Sequence, residues 1–482
     1  MIDFRPVLSI VGLVLCLLAA AMAVPTLVDL AAGEPEWQAF LTAGGITLVV
    51  GLGLVLGARG HTGALSVRQI YLATGLAWLV PCLFAALPFA LAPLGLSTAD
   101  AVFEATSGIT TTGSTVIAGL DRLPSGLLLW RALLQWLGGI GVIVMAITVL
   151  PLLNVGGMQM FRIEVVAAHE RASPRAARVG STIVTVYIGL TLVLGLALWG
   201  AGMGGFDAMV HAMSTIATGG FSTRDTSLGA FDSAMVELIV GIGMVVGGMQ
   251  FALFFHLAQG NWRRLAYDQQ LRWYLGLMAL GGAAVTLWLM GERGLDPLSA
   301  VRFGFFTVAS VMTGTGLVTM DFSDWSGLSA AVLFFLTFVG GCAGSTAAGI
   351  KVFRFQFLFA DALMQVRQLL RPHAVMFPTF NRKAIPKDVL GSVMGFIFVY
   401  ALAFAVLAMA LALMGLDFVT ALSGAASAIA NVGPGLGEVI GPGSTYAALP
   451  DAAKWLLAAA MVFGRLEMFA LLVLFVPAFW KQ

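Results

Sequence analysis

Ten long apolar runs constrain this chain more than any other feature. They lie near 7–30, 41–58, 69–92, 127–150, 181–203, 233–258, 272–291, 328–362, 389–414 and 453–479, and a helix needs about 20 apolar residues to cross the hydrocarbon of a bilayer. The expected fold is an all-α polytopic membrane protein with ten spanning segments. Composition agrees, since 59% of the 482 residues are hydrophobic and 10% charged, against about 25% charged in soluble domains. The first run follows "MIDFRP" and lacks a small-residue cleavage site, so it is expected to stay as a helix.

Charge is informative through its distribution, because the net value is only +1. The connections "GARGHTGALSVRQ", 162–178, "NWRRLAYDQQLR" and 351–387, with Arg5 and Lys481, hold 18 of the 25 Lys and Arg. The opposite set carries Asp29, Glu34, Glu36, Asp100, Glu104, Asp121, Asp207, Asp225, Asp232, Glu237, Glu292, Asp296, Asp321, Asp324, Asp417, Glu438 and Asp451, which is 17 of the 24 acids. The positive-inside rule then places the basic loops and both termini in the cytoplasm. With that orientation the segment between 69–92 and 127–150 must start and finish outside, as must 204–232, 292–327 and 415–452. Each is too short and polar to cross twice, so each reads as a re-entrant hairpin, tolerated at membrane depth only where protein or water covers it. Cys16, Cys82 and Cys342 lie in apolar stretches without CxxC spacing and read as small buried hydrophobes.

The four re-entrant segments share a pattern. They read "LSTADAVFEATSGITTTGST", "FDAMVHAMSTIATGGFST", "LDPLSAVRFGFFTVASVMTGTGLV" and "LDFVTALSGAASAIANVGPG". A serine precedes a glycine by six positions in each: Ser107 and Gly113, Ser214 and Gly220, Ser310 and Gly316, Ser427 and Gly433. Ser97, Asp207, Asp296 and Asp417 are the candidate N-caps of the four short helices. A repeat of helix, re-entrant loop and helix, four times over, predicts a bundle about a pseudo-fourfold axis. Two further helices precede it. The expected partition is 1–65 for those two, then 66–178, 179–268, 269–383 and 384–482 for the four repeats.

Four loops meeting at one axis would put backbone carbonyls and threonine hydroxyls around a single hole, with a glycine in each giving dihedrals that aim the carbonyls inward. Such rings replace the water shell of a monovalent cation. The carboxyl ends of the short helices add negative potential beneath the ring, favouring a cation and disfavouring an anion.

At this point the sequence resembles the Trk/Ktr/HKT superfamily of potassium transporters, on "TTTGST", "IATGGFST", "MTGTGLV", "ANVGPG", "GGCAGSTAAGIKVFRF" and "VFGRLEMF". The two extra N-terminal helices make it more similar to the TrkH/TrkG type than to KtrB. The resemblance spans essentially the whole chain. It implies potassium uptake across a bacterial cytoplasmic membrane, with K+ as the transported ion and no organic cofactor. It also implies a homodimer with one pore per subunit, gated by a cytosolic nucleotide-binding ring of the TrkA type. On the matching motifs the filter comprises Thr110, Thr111, Thr112 and Gly113; Ala217, Thr218, Gly219 and Gly220; Thr313, Gly314, Thr315 and Gly316; and Ala430, Asn431, Val432 and Gly433. K+ would sit at Thr111, Thr112, Thr218, Gly219, Gly314, Thr315, Asn431 and Val432. Glycine at the first site goes with potassium preference in the family and serine with sodium permeation; this chain has Gly113. Asn431, Val432 and Pro434 depart from the threonine-rich setting of the other loops.

Two interruptions of the apolar runs remain. "GGCAGSTAAG", 340–349, puts four glycines into the eighth run, each costing about 1 kcal/mol in a helix interior, and is read as the break of a helix lining a cavity. By resemblance this is an intramembrane gate comprising Gly340, Gly341, Gly344, Ser345, Thr346 and Gly349, with Lys351 at its cytoplasmic end, where it either snorkels to headgroups or serves the gate. Arg465 falls in the middle of the last run, at a cost of about 2.5–3.5 kcal/mol on insertion scales, with Glu467 two positions on and hence on another helix face. It is read as an electrostatic barrier below the filter and also belongs to the gate. His211 and His256 are read as bundle residues rather than metal ligands. The basic runs around Arg171 and Arg382 are topology signals that also suit a regulatory ring or anionic lipid. No Walker lysine or Rossmann fingerprint is present, and nothing points to nucleic acid as a partner. A proton- or sodium-coupled secondary transporter also uses broken helices at midplane, but its repeats are typically twofold. A membrane enzyme would need a midplane cluster of titratable groups, and only Arg465 and Glu467 offer one.

Overall fold

A computed structural model describes residues 3–59, 65–153, 156–160, 174–374 and 376–481; the stretch around Arg171 lies outside them. The apolar runs form helices that expose large hydrophobic side chains on the perimeter, including Leu13, Val49, Leu196, Leu280 and Leu413. Water would not tolerate such a surface, but hydrocarbon does. Among the described residues seven helices are long and apolar enough to cross a membrane, or nine if each of two bent pairs counts as one span. A further span is split into Gly327–Val339 and Val352–Leu370. This is the eighth of the apolar runs, of which seven to nine meet the length and composition of a span among the described residues.

Two further apolar runs bend sharply. Ala234–Gly247 and Phe251–Leu257 meet at 98°, and Asp451–Arg465 and Phe469–Phe475 meet at 104°. Gly248 follows Gly247 at the first bend. At the second, Glu467 and Met468 both adopt positive φ, at 54° and 51°, without any glycine to announce it. Arg465 is therefore the last residue of its helix and not a mid-helix charge.

The two N-terminal helices, Arg5–Ala32 and Trp37–Gly57, cross where both are small. A Cβ added to Gly12 would meet the Gly51 carbonyl and Leu54, and one on Gly51 would meet Cys16. Small residues are the usual means by which membrane helices approach closely. The connection after Val352–Leu370 carries a two-stranded antiparallel hairpin, Thr379–Phe380 with Lys383–Ala384, and the Asn381 at its turn hydrogen-bonds Asp268 and Gln269.

Four short helices, Thr98–Ile109, Gly205–Ile216, Pro297–Thr313 and Phe418–Ala430, occupy the centre. Ser97, Asp296 and Asp417 cap three of them, each side chain accepting from the amide three residues on, an interaction worth about 1 kcal/mol. Asp207 is the exception. Its helix begins at Gly205 behind Gly204, and its carboxylate accepts instead from Thr223 Oγ1 at 2.7 Å and from Arg224 at 3.0 Å. A longer-range pairing has displaced the local cap.

Candidate functional site

Each short helix runs into a loop with the same backbone course. Two residues before the recurrent glycine the chain turns left-handed, at Thr111 (φ 53°), Thr218 (50°), Gly314 (72°) and Asn431 (51°). It does so again at Gly113 (86°), Gly220 (84°), Gly316 (74°) and Gly433 (102°), while Thr112, Gly219, Thr315 and Val432 between them do not. An extended strand alternates its carbonyls between two sides; alternating the handedness of φ turns successive carbonyls toward one side.

The six-residue spacing has a backbone cause. The amides of Thr112, Gly219, Thr315 and Val432 donate to the carbonyls of Ser107 (2.8 Å), Ser214 (2.8 Å), Ser310 (2.9 Å) and Ser427 (3.1 Å). The last turn of each short helix thus captures the amide just ahead of the glycine. Thr110, Ala217, Thr313 and Ala430 close the helices at the equivalent position, and all four are buried.

The loops close into a ring. A Cβ added to Gly113 would strike the carbonyl of Gly219, one on Gly220 the carbonyl of Thr315, one on Gly316 the carbonyl of Val432, and one on Gly433 that of Thr112. Each glycine therefore leans on the carbonyl one residue ahead of the next loop's glycine, in cyclic order. Above the ring opens a mouth of about 280 Å³, lined by all four glycines with Arg131 and Tyr446.

The threonine hydroxyls of the loops differ in what they meet. Thr110 Oγ1 and Thr112 Oγ1 pair at 2.7 Å, as do Thr313 Oγ1 and Thr315 Oγ1 at 2.6 Å, and Thr218 Oγ1 donates to the Ala217 carbonyl. These five hydroxyls brace the loops, whereas Thr111 Oγ1 is buried with no hydrogen-bond partner among the described residues. Asn431 explains the departure of the fourth loop. Its amide tolerates the left-handed turn and donates to Thr112 Oγ1 (2.8 Å) and the Met461 carbonyl (2.9 Å), tying the fourth loop to the first.

Two braces escaped the sequence reading. Gln135 donates to the Gly219 carbonyl (2.6 Å) and accepts from Ser214 Oγ (2.8 Å) and the Phe221 amide (3.1 Å). Arg131 bonds Glu104 (2.8 Å), the Ser222 carbonyl (2.9 Å) and Thr115 Oγ1 (3.2 Å), its guanidinium 4.1 Å from the Phe221 ring centroid. Glu104 is fully buried, so it belongs to this brace and not to the surface acids. The signal was available: Arg131 and Gln135 are polar, four residues apart and on one face of the helix Ser125–Thr148. His211 is paired through both ring nitrogens, with the Asp207 carbonyl and Ser222 Oγ.

The segment 340–351 is a buried loop, left-handed at Gly340, Gly344, Gly349 and Lys351. It packs into the bend of Ala234–Gly247 and Phe251–Leu257: the Cys342 amide donates to the Gly248 carbonyl (2.9 Å) and the Phe251 amide to the Gly344 carbonyl (3.0 Å). Thr346 Oγ1 lies 3.0 Å from both the Ile216 and the Gly247 carbonyls, and Arg465 Nη2 donates to the Thr346 carbonyl at 3.0 Å. Gly341 packs against the Gly248 carbonyl, and Ser345 Oγ caps the Cys342 carbonyl at 2.7 Å. The snorkelling alternative for Lys351 fails. Its side chain is buried and its ammonium lies 3.2 Å from Glu467. Glu467 also pairs with Arg354, which holds the Gly156 and Ile350 carbonyls at 2.8 Å each. The turn after Arg465 is what brings Glu467 to this cluster, so the helix-face argument for Arg465 and Glu467 does not apply.

The ring, its braces and the buried loop beside it define a class: a multi-pass helical membrane protein with a polar centre assembled from four converging loops. The chain belongs to the TrkH family of cation transport proteins, whose family model matches residues 36–482, and this is a family of transporters rather than enzymes. It is 41% identical to the Trk system potassium uptake protein TrkI of Halomonas elongata, over 99% of this chain and 97% of that one. It is 38% identical to the Trk system potassium uptake protein TrkH of Escherichia coli K12, over 99% and 100% of the two chains. The crystal structure of the potassium transporter TrkH from Vibrio parahaemolyticus superposes with a TM-score of 0.92 at 36% identity, covering 100% of both chains.

Proposed function

We propose that this chain takes up potassium across the bacterial cytoplasmic membrane as the ion-conducting subunit of a Trk-type system. The observation that carries the reading is the closed circuit of four glycines and four neighbouring carbonyls. A dehydrated K+ is held by the carbonyls of Thr111, Thr112, Thr218, Gly219, Gly314, Thr315, Asn431 and Val432, which substitute for its water shell. Gly340 to Gly349 and Lys351 form the gate. Arg465, bonded to the Thr346 carbonyl, sets a positive barrier to the cation and releases it when the loop moves. The four repeats partition the chain at 66–178, 179–268, 269–383 and 384–482, with both termini cytoplasmic. Two copies assemble, and a cytosolic nucleotide-binding ring of the TrkA type engages the basic loops and biases the gate. The relatives named as Trk system potassium uptake proteins support the ion and the system.

The test is cation flux into proteoliposomes with wild type beside Gly316→Ser. A Cβ at Gly316 would press on the Val432 carbonyl and on Pro434, so K+ over Na+ preference is expected to fall while the protein still assembles. Unchanged preference would remove Gly316 from the filter. Strictly proton-coupled, saturating uptake without channel-like currents would favour the coupled-transporter reading instead.

A further inference from the structure

The four ring glycines match in backbone but not in what their own carbonyls meet. Among the described residues no hydrogen bond is donated to the carbonyl of Gly113, Gly220 or Gly316, whereas the Gly433 carbonyl receives three. Ser427 Oγ and Ser114 Oγ donate to it at 2.7 Å each, and the Tyr446 hydroxyl directs its one proton to it at 2.9 Å, with Ser427 Oγ a longer second acceptor at 3.3 Å. A carbonyl oxygen has two lone pairs. Three hydroxyls more than fill it, and a cation approaching from the axis would have to compete with all of them.

The clamp is built from separate parts of the chain. Ser114 belongs to the first loop and Ser427 to the fourth short helix. Tyr446 is buried, with its ring centroid 5.3 Å from that of Phe103 and its amide on the Thr115 carbonyl at 2.8 Å. The φ of Gly433, 102°, exceeds the 74–86° of its three counterparts.

We propose that the glycine level of the ring is three-sided. The carbonyls of Gly113, Gly220 and Gly316 face the ion, while Ser114, Ser427 and Tyr446 hold the Gly433 carbonyl off the axis, so a cation at this level keeps water on its fourth side. Selection by carbonyls depends on their number and field strength. Discrimination therefore falls on the deeper levels, and Tyr446 is a positioning residue for selectivity. The inference rests on the reading of this ring as the potassium pathway.

The experiment compares K+ and Na+ flux into proteoliposomes for wild type, Y446F, S114A and the double variant, with S114T retaining the donor as control. Tyr446→Phe keeps the ring on Phe103 and removes only the hydroxyl. Freed of two donors, the carbonyl should turn to the ion, raising the K+/Na+ flux ratio about two- to tenfold, the size of one net hydrogen bond. Y446F alone should move it the same way by less, and S114T not at all. A purely structural role would lower both fluxes together and leave the ratio unmoved. An unchanged or falling ratio in the double variant overturns the proposal, and if that protein does not assemble, an unchanged ratio in Y446F does so. Wild-type vesicles that carry no potassium overturn the underlying reading, and this inference with it, a result distinct from normal uptake with an unmoved ratio.

Discussion

The ring of loops and the buried segment beside it are both glycine-rich and both buried, yet they are held by opposite means. The ring is set by local backbone geometry repeated four times: a helix end, a left-handed turn, an amide returned to a serine carbonyl, and a glycine against the next loop. The segment 340–351 is set by unlike elements meeting once. It is packed into one bend of the chain, bonded by Arg465 at a second, and anchored by a three-membered charge cluster. On the proposed reading, local repeated geometry suits an aperture of fixed size, and singular long-range contacts suit an element released by breaking a few bonds.

The contrast is tested most severely in the ring. Gly220→Ala places a Cβ on the Thr315 carbonyl in a left-handed residue, adding about 1–2 kcal/mol of backbone strain to a collision with backbone. Potassium uptake should be nearly abolished with the protein still in the membrane. Gly189→Ala, where a Cβ meets nothing within 4 Å, should leave uptake intact. If both behave alike, the ring is not a fixed aperture.

The charge cluster comes next. Glu467→Gln leaves Lys351 and Arg354 buried without their carboxylate, a change of about 3–5 kcal/mol for a broken buried pair. Thermal unfolding in detergent should shift downward by several degrees, and an unchanged midpoint would show that the cluster does not anchor the loop. A smaller effect is expected at the loop itself. Arg465→Gln removes a charged donor from the Thr346 carbonyl, worth about 1.5–3 kcal/mol, and should raise cation flux; lost assembly without raised flux would make Arg465 structural.

The caps give the smallest effects. Ser97→Ala should cost about 0.5–2 kcal/mol of stability, read from the same melting curves. At Asp417 the Thr420 hydroxyl and amide both donate to the carboxylate and hold its pKa below the usual 3.8. A carboxyl lowered on folding adds stability above its unfolded pKa and loses it as pH falls through the folded value. Asp417→Asn should therefore flatten stability below about pH 4, where the wild type declines.

Much of this was legible in the sequence for a physical reason. Hydrophobic length reports the spans, and the Ser–Gly spacing reports a backbone hydrogen bond closed within one turn. Three of four caps were readable because capping is local. Asp207 was misread because Thr223 and Arg224, sixteen and seventeen residues on, compete for its carboxylate. The bend after Arg465 was invisible because Glu467 and Met468 carry no mark of a left-handed turn. Its stabilisation comes from Lys351 and Arg354, over a hundred residues away. Gln135 and Arg131 were findable as a polar pair on one helix face, but the loops they brace belong to different parts of the chain.

The head-to-tail contact of the ring has one further consequence. Because every leaf of this iris rests on its neighbour, none retracts alone, and the bore is a property of the quartet. A change in one leaf is felt by the one it touches, since Pro434 lies against Gly316 and Asn431 bonds Thr112. Segments joined in this way are held in step at their tips, whatever their outward faces carry.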